Sequence, residues 1–249
     1  MLCVACRRGI SLALRFDNYV PCRIEQTGGR VSIWLSWSSG KDCAWALHEL
    51  RRQDREVAAL FTTLNAAFDR VAKHGVRREL LEAQAAAVGL PLHGVELPWP
   101  CSNDDYEARM RGLVDMAQRA GVTEMAFGDL FLEDVRAYRE RNLAGTGIAP
   151  LFPLWGKPTG TRAREMIAAG VTARLATVDL ARLDAAFAGR TFDAGLLDEL
   201  PAGIDPCGEN GEFHTFVTAG PMMQWPLRVE PGEVVVRDGF AYADLMAAS

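Results

Sequence analysis

The chain has 249 residues, enough for one large domain or two smaller ones. Its 49% apolar and 24% charged residues are those of an ordinary globular protein, and no run approaches the ~18 consecutive apolar residues that would cross a membrane. A formal net charge of −5 argues against a general nucleic-acid surface.

Residues 1–30 show no clear periodicity and end in Gly28-Gly29, so they are expected to be either a disordered extension or translated sequence upstream of the true start. Their start is too interrupted by arginine to make a secretory h-region. The cysteines (Cys3, Cys6, Cys22, Cys43, Cys101, Cys207) are scattered, and the single C-x-x-C at Cys3 and Cys6 lacks the second pair of a zinc ribbon. They read as free thiols in a reducing cytoplasm.

From Val31 onward, short apolar runs alternate with helix-length segments, the pattern of a parallel sheet with crossover helices. Strands are expected at Val31–Trp37, Glu56–Leu64, Leu92–Leu97, Glu124–Phe127 and Leu151–Trp155. Helices are expected at about Lys41–Arg52, at Arg77–Val88 with Gly89 as its C-cap, from a Ser102-Asn103-Asp104 cap to Ala120, and over Leu132–Leu143. The fold class is therefore α/β, a five-stranded parallel doubly wound sheet over 31–157, followed by a smaller α+β domain over 158–249. In the latter the pattern predicts a helix (Arg162–Ala169), a strand (Arg174–Val178) and short helical pieces around Leu183 and Leu196. After these comes an irregular stretch over Gly203–Val217, then a strand pair (Gln224–Val229, Glu233–Arg237) and a terminal helical turn.

Ligands of open α/β sheets lie at the carboxyl ends of the strands. That rule sets Ser38–Lys41, Asn65, Gly128-Asp129 and Trp155-Gly156 along one rim. The first of these follows an apolar strand directly and opens a helix, in VSIWLSWSSGKDC. Small residues there let a backbone approach an anion, and the helix N-terminus adds partial positive charge. Lys41 contributes a compact ammonium, and it is one of only three lysines (with Lys73 and Lys157) against 24 arginines. Neither the Walker spacing nor G-x-G-x-x-G is present. A second unusual stretch is GIDPCGENGEFHTFV, which sets Asp205, Glu209, Asn210, Glu212 and His214 among glycines that permit tight turns. Arg136 and Arg139, three apart, share a helical face.

The first turn resembles the S-G-G-K-D-S pyrophosphate loop of the ATP-pyrophosphatase superfamily, matching at Ser38, Gly40, Lys41 and Asp42, with Ser39 and Cys43 as small replacements. Together with His74-Gly75-Val76, Gly128-Asp129, Pro153-Leu154-Trp155-Gly156 and Gly208-Glu209-Asn210-Gly211-Glu212-Phe213, it makes the chain similar to the diphthine–ammonia ligase family, the adenine nucleotide α-hydrolase-like branch.

That resemblance implies a HUP-like sheet and an enzyme that forms an amide from a carboxylate and ammonia through an acyl-adenylate, releasing AMP and pyrophosphate. Ser36, Ser38, Ser39, Gly40, Lys41, Asp42, Cys43, His74, Gly128 and Asp129 would bind ATP, and Asp42 and Asp129 would bind Mg²⁺. Lys41, Asp42, Glu209, Glu212 and His214 would serve catalysis, with a neutral His214 as base. The partners implied are ATP and a carboxylate acceptor of unknown identity, and a homodimer is one assembly to expect. Members that amidate diphthine typically carry an acidic residue where this chain has His214, and a glycine where it has Asn210, which points to a related branch with another acceptor. Two other readings share the turn: a nucleotide-binding sensor without turnover, and a thiolation enzyme using the same adenylation.

Overall fold

The computed structural model describes residues 32–248. The extension expected over 1–30 lies outside the described residues.

Strand β1 (Ile33–Ser36) alternates its faces: Ile33 and Leu35 enter one core cluster, Trp34 the other. There follow α1 (Lys41–Arg52), β2 (Val57–Asn65), β3 (Arg70–Val71), α2 (Arg78–Val88), β4 (Leu92–Leu97), α3 (Asn103–Arg119), β5 (Glu124–Ala126), α4 (Glu133–Leu143) and β6 (Ala149–Leu151). The parallel strands run β4-β2-β1-β5-β6. Strand order reverses beside β1, so the crevice at the carboxyl ends of β1 and β5 is the topological switch point. Helices α1 and α2 pack on one face with Leu47, Leu50, Leu80 and Leu81, while α3 covers the other with Leu113, Val114 and Ala117. The local signals act as their chemistry dictates. The Ser102 hydroxyl accepts from the Asp105 N–H at 3.1 Å to cap α3, and Gly89 ends α2 in the left-handed conformation at φ 73°.

After β6 the chain forms α5 (Thr159–Ala168), β7 (Thr172–Asp179), a 3₁₀ turn (Ala185–Phe187), α6 (Ala194–Glu199), β8 (Phe213–Ala219), β9 (Val229–Arg237) and β10 (Phe240–Ala247). The last four strands make an antiparallel sheet in the order β8-β7-β10-β9. Its inner residues Leu175, Phe213 and Phe216 belong to the same buried cluster as Leu47 and Leu80, so one core joins the two sheets.

Three local expectations fail. Residues expected to form a terminal helical turn are β10, whose alternating buried residues Ala241, Ala243 and Leu245 face the core. The expected strand pair is a single strand, β9, and its hairpin partner is β10 across Asp238-Gly239, a dipeptide suited to that turn because both residues take positive φ (50° and 82°). Pro231-Gly232 reads as a break, but this is an edge strand, where a missing N–H is tolerated. The fifth parallel strand ends before Pro153 rather than running to Trp155. The short β3 pairs antiparallel with the last two residues of β2 and has too few residues to show a period in the sequence.

Asp244 on β10 fastens the antiparallel sheet to the first. It accepts from Arg70 Nη2 at 3.0 Å and from Arg77 Nε and Nη2 at 2.9 and 2.6 Å. The Arg77 hydrogen bonds, helped by Arg70, hold its carboxyl below the ordinary value. A depressed carboxylate stabilises above its unfolded pKa and loses that contribution as pH falls through the folded one. Asp244→Ala should therefore cost about 1 kcal/mol at pH 7 by urea unfolding, with the difference shrinking in acid.

Candidate active site

The turn after β1 is built by strain and burial together. Ser39 takes φ 73°, a conformation that favours glycine, and is fully buried with its hydroxyl lacking a partner. Gly40 is the N-cap of α1 without a side-chain cap. Cys43 donates from its thiol to the Gly40 carbonyl at 3.0 Å, and burial pushes its pKa to about 11. The same sulfur accepts from the Ser38 hydroxyl at 3.7 Å, so the thiol ties the turn to the first turn of the helix.

The C-terminal segment closes directly onto this turn. The Lys41 N–H donates to Thr215 Oγ1 at 3.0 Å, and the Val217 N–H donates to the Ser39 carbonyl at 3.0 Å. Gln84, fully buried on α2, donates from its amide to the carbonyls of Ser39 (3.1 Å) and Val217 (2.6 Å) and accepts from the Trp37 indole at 3.0 Å. Gln84 and Thr215 are absent from the residues picked out by motif. Gln84 did leave a signal: it lies between Leu81, Ala85 and Val88 on the apolar stripe of α2, where an amide must find buried partners.

Lys41 is only 2% exposed. Its ammonium donates to Asp42 Oδ2 at 2.8 Å and to the Cys207 carbonyl, and lies 5.5 Å from the ring centres of Phe192 and Phe213. Burial opposes that charge, but Asp42, Cys207 and Glu209 outweigh it and raise the pKa. Burial raises the Asp42 carboxyl against the pull of Lys41.

Three carboxylates from distant parts of the chain converge here. Gly128, at the end of β5, passes so close to α1 that a Cβ would lie 3.0 Å from Asp42 C and Cys43 N. Asp129 follows it, with Arg139 Nε at 3.5 Å, and burial raises its carboxyl despite that arginine. Asp129 is not a helix cap, since Leu132 holds that position for α4. Glu209 accepts from the Leu130 N–H at 2.7 Å and is pushed up to about 7, by burial first and then by the charge of Asp42. Asp42, Asp129, Glu209, Ser36 and Ser38 are all partly exposed and form the open edge of the site.

The rest of the late segment is spent on its own shape. Asp205 Oδ1 accepts from the N–H groups of Cys207 (2.8 Å) and Glu209 (3.2 Å), and its Oδ2 takes the Thr159 hydroxyl at 2.5 Å. Glu212 is fully buried, with Oε1 taking the Asp205 N–H and the Asn210 amide, both at 3.1 Å, and Arg182 Nη2 at 3.3 Å. Burial would raise it, but these donors hold it below its ordinary value. Cys207, at about 12, stays a thiol.

His74 and His214 stack at 4.4 Å beside the turn, where the Cβ of any residue replacing Gly40 would meet His74 Cε1 at 3.0 Å. Burial pulls His214 down to about 4, and burial plus His214 pulls His74 well below the ordinary value, so both rings are neutral at pH 7. Of the two helical arginines, Arg139 lies over Phe127 at 4.8 Å, and Arg136 lies 4.9 and 4.8 Å from the rings of Phe152 and Trp155. A cleft of about 670 Å³ between α3 and α4, lined by Phe61, Met110, Met125 and Phe127, reaches Arg139 and so adjoins the Asp129 corner.

Two results are expected from this geometry. Ser39→Gly should raise stability by about 1 kcal/mol in urea unfolding, because it removes a left-handed strain and an unpartnered hydroxyl; a loss would show that the hydroxyl is held. For Glu209, a folded pKa near 7 against an ordinary 4.5 means the folded chain keeps a proton that the unfolded chain has lost, so stability falls as pH rises across that window. Glu209→Gln should match the wild type below pH 4.5 and exceed it by about 3 kcal/mol at pH 8; a pH-independent difference would refute the shift.

Comparison with known proteins bears on the chain as a whole. Residues 31–149 match the diphthamide synthase N-terminal domain and residues 159–246 the diphthamide synthase C-terminal domain. The chain is similar to the human diphthine–ammonia ligase, 26% identical over 230 residues covering 83% of this chain and 85% of that protein. It is likewise similar to the mouse diphthine–ammonia ligase, 23% identical with the same coverage. The two domain matches follow one another along most of the chain, in the order their names give, and the chain belongs to the diphthamide synthase family.

Proposed function

We propose that this protein is an ATP-dependent ligase that joins a carboxylate to ammonia. Family membership implies the use of ATP and ligase chemistry. In the reaction proposed, a carboxylate oxygen of the acceptor attacks the ATP α-phosphorus and the α–β bridging bond breaks, releasing pyrophosphate. Ammonia then attacks the acyl carbon, AMP leaves, and the surplus proton passes to a base. The single observation that carries this reading is the meeting, at the switch point, of the strand–helix turn with the Asp42, Asp129 and Glu209 carboxylates.

The open edge of the site is acidic, while ATP is a polyanion. Lys41 is too deeply buried to neutralise both, which calls for a cation. Among the described residues no group of three His, Cys, Asp or Glu could hold a metal ion alone. Mg²⁺, however, binds through one or two carboxylates and completes its shell with phosphate oxygens and water. The buried Asp42 Oδ1 lacks a hydrogen-bond partner and Asp129 Oδ2 has only the long 3.5 Å contact with Arg139 Nε, so the donor set fits once that arginine gives way, and these two residues would hold the ion. Bound there, Mg²⁺ would offset the charge that collects on the departing pyrophosphate.

Glu209, titrating near 7, is better matched to accept the proton from the attacking nitrogen than His214 at about 4. The neutral imidazole stack then serves to support Gly40 and the turn. Lys41 holds the late loop through the Cys207 carbonyl and opposes the upward push of burial on Asp42, acting one step behind the phosphates. The acceptor remains a carboxylate other than, or in addition to, the diphthine named for the relatives, since His214 stands where diphthine-amidating members have an acid.

The test is an assay for AMP and pyrophosphate with ATP, Mg²⁺ and ammonium over a panel of carboxylate acceptors that includes diphthine. Over many turnovers AMP and pyrophosphate should form in equal amounts, and turnover should require both ammonium and acceptor. Asp129→Asn should lower kcat by ~10²-fold with little change in melting temperature. The burial of the Lys41 ammonium favours one competing reading, a nucleotide sensor. Tight ATP binding by calorimetry without pyrophosphate in any mixture would replace the ligase reading with that one.

A further inference from the structure

Strand β9 is the edge of the antiparallel sheet, and among the described residues it pairs only with β10. Exposed edge strands invite pairing with another chain and are usually blunted by charge, proline or a bulge. Here Pro231 and a register shift between Pro231 and Val234 guard the first half only. Beyond it, Val234, Val235 and Val236 are 46%, 44% and 61% exposed, so apolar side chains are open to solvent on both faces of the strand.

The hairpin settles which main-chain groups are free. Arg237 pairs with Phe240 across the two-residue Asp238-Gly239 turn, and the register runs without a shift through Val236–Ala241, Val235–Tyr242 and Val234–Ala243. In a two-residue hairpin the closing pair exchanges hydrogen bonds, and hydrogen-bonded pairs alternate with non-bonded ones. Arg237 and Val235 therefore turn their N–H and C=O groups toward β10, while those of Val234 and Val236 point to the free edge.

We infer that this edge is an interface with a second copy of the same chain, the two β9 strands pairing antiparallel about a two-fold axis through Val235. A two-fold axis perpendicular to the sheet pairs residues whose numbers sum to a constant even value. Centred on Val235, it sets Val234 against Val236 of the second copy, the residues with free main-chain groups, and Glu233 against Arg237, opposite charges, at both ends. Centred on Val234, it would set Glu233 against Val235 and Pro231 against Arg237. Centred on Val236, it would set Val234 against Asp238. Of the three, only the Val235 axis sets unlike charges opposite one another, and it joins the two four-stranded sheets into one. Charge complementarity of this kind selects the partner as well as the register.

The test is the mass of the full chain in solution by sedimentation and light scattering across a concentration series. The wild type should reach twice 27.3 kDa. Val236→Pro, which removes an N–H aimed at the free edge and none used by β10, should leave a monomer with an unchanged circular dichroism spectrum. Glu233→Arg should weaken the dimer by about tenfold, and adding Arg237→Glu to it should restore the affinity by exchanging both partners of each pair. A wild type that stays monomeric overturns the inference, including the case in which residues 1–31 of the same chain cover the edge. A dimer indifferent to these substitutions overturns it too.

Discussion

The structure depends on one junction, the seating of β8 on the turn between β1 and α1. A helix N-terminus leaves N–H groups without partners, and a turn carries carbonyls that no sheet satisfies. Here the orphan groups of one motif are satisfied by the other: the Thr215 hydroxyl takes the Lys41 N–H, and the Val217 N–H and the Gln84 amide meet the Ser39 carbonyl. All of these groups are buried, so each bond replaces a desolvation penalty of ~1–3 kcal/mol that a loosened junction would expose. The two sheets cannot separate without breaking the turn. Assembly of the site and folding of the C-terminal sheet are thus one event.

The same burial governs the electrostatics. Lys41 sits between two phenylalanine rings, and its charge is sustained by Asp42 and by the Cys207 carbonyl. Removing water from the lysine raises the influence of each nearby carboxylate, because charges interact more strongly where the medium is less polarisable. Glu209 titrates near neutrality because its own burial and the charge of Asp42 outweigh the opposing pull of Lys41, while Glu212, only three residues on, is held below its ordinary value by amide, backbone and guanidinium donors. Neighbouring glutamates in one loop thus acquire opposite tendencies from what surrounds them, one able to exchange a proton at neutral pH and the other fixed.

The parallel half of the fold was legible because its signals are local and redundant. Strand β1 ends in small residues, α1 shows an uninterrupted apolar stripe, and Gly89 and Ser102 mark helix ends through their own backbone and side-chain chemistry. The last strands were not legible in the same way. β10 is rich in alanine, which favours helices, and it becomes a strand because β7 and β9 offer it partners on both sides. The candidate site divides similarly. The motifs pointed to residues that do meet, but which carboxylate would be open and which buried depends on contacts such as Leu130 N–H with Glu209 and Arg182 with Glu212. Those contacts join segments distant in sequence or loops without a period, so no spacing could announce them.

The two departures in the phosphate turn become intelligible from the same junction. Serine at a left-handed position is costly on its own, and a thiol is a weak donor. Yet Ser39 is fixed through its carbonyl, which receives two hydrogen bonds from the C-terminal half of the junction and from α2, and Cys43 answers to its own helix by donating to the Gly40 carbonyl. A turn held so firmly from behind can keep its backbone shape without glycine or serine at those points, while Ser38, Asp42, Asp129 and Glu209 remain partly exposed at the open edge. The junction therefore permits the sequence of the turn to drift while its geometry stays, which is how a divergent member can retain the architecture of its family.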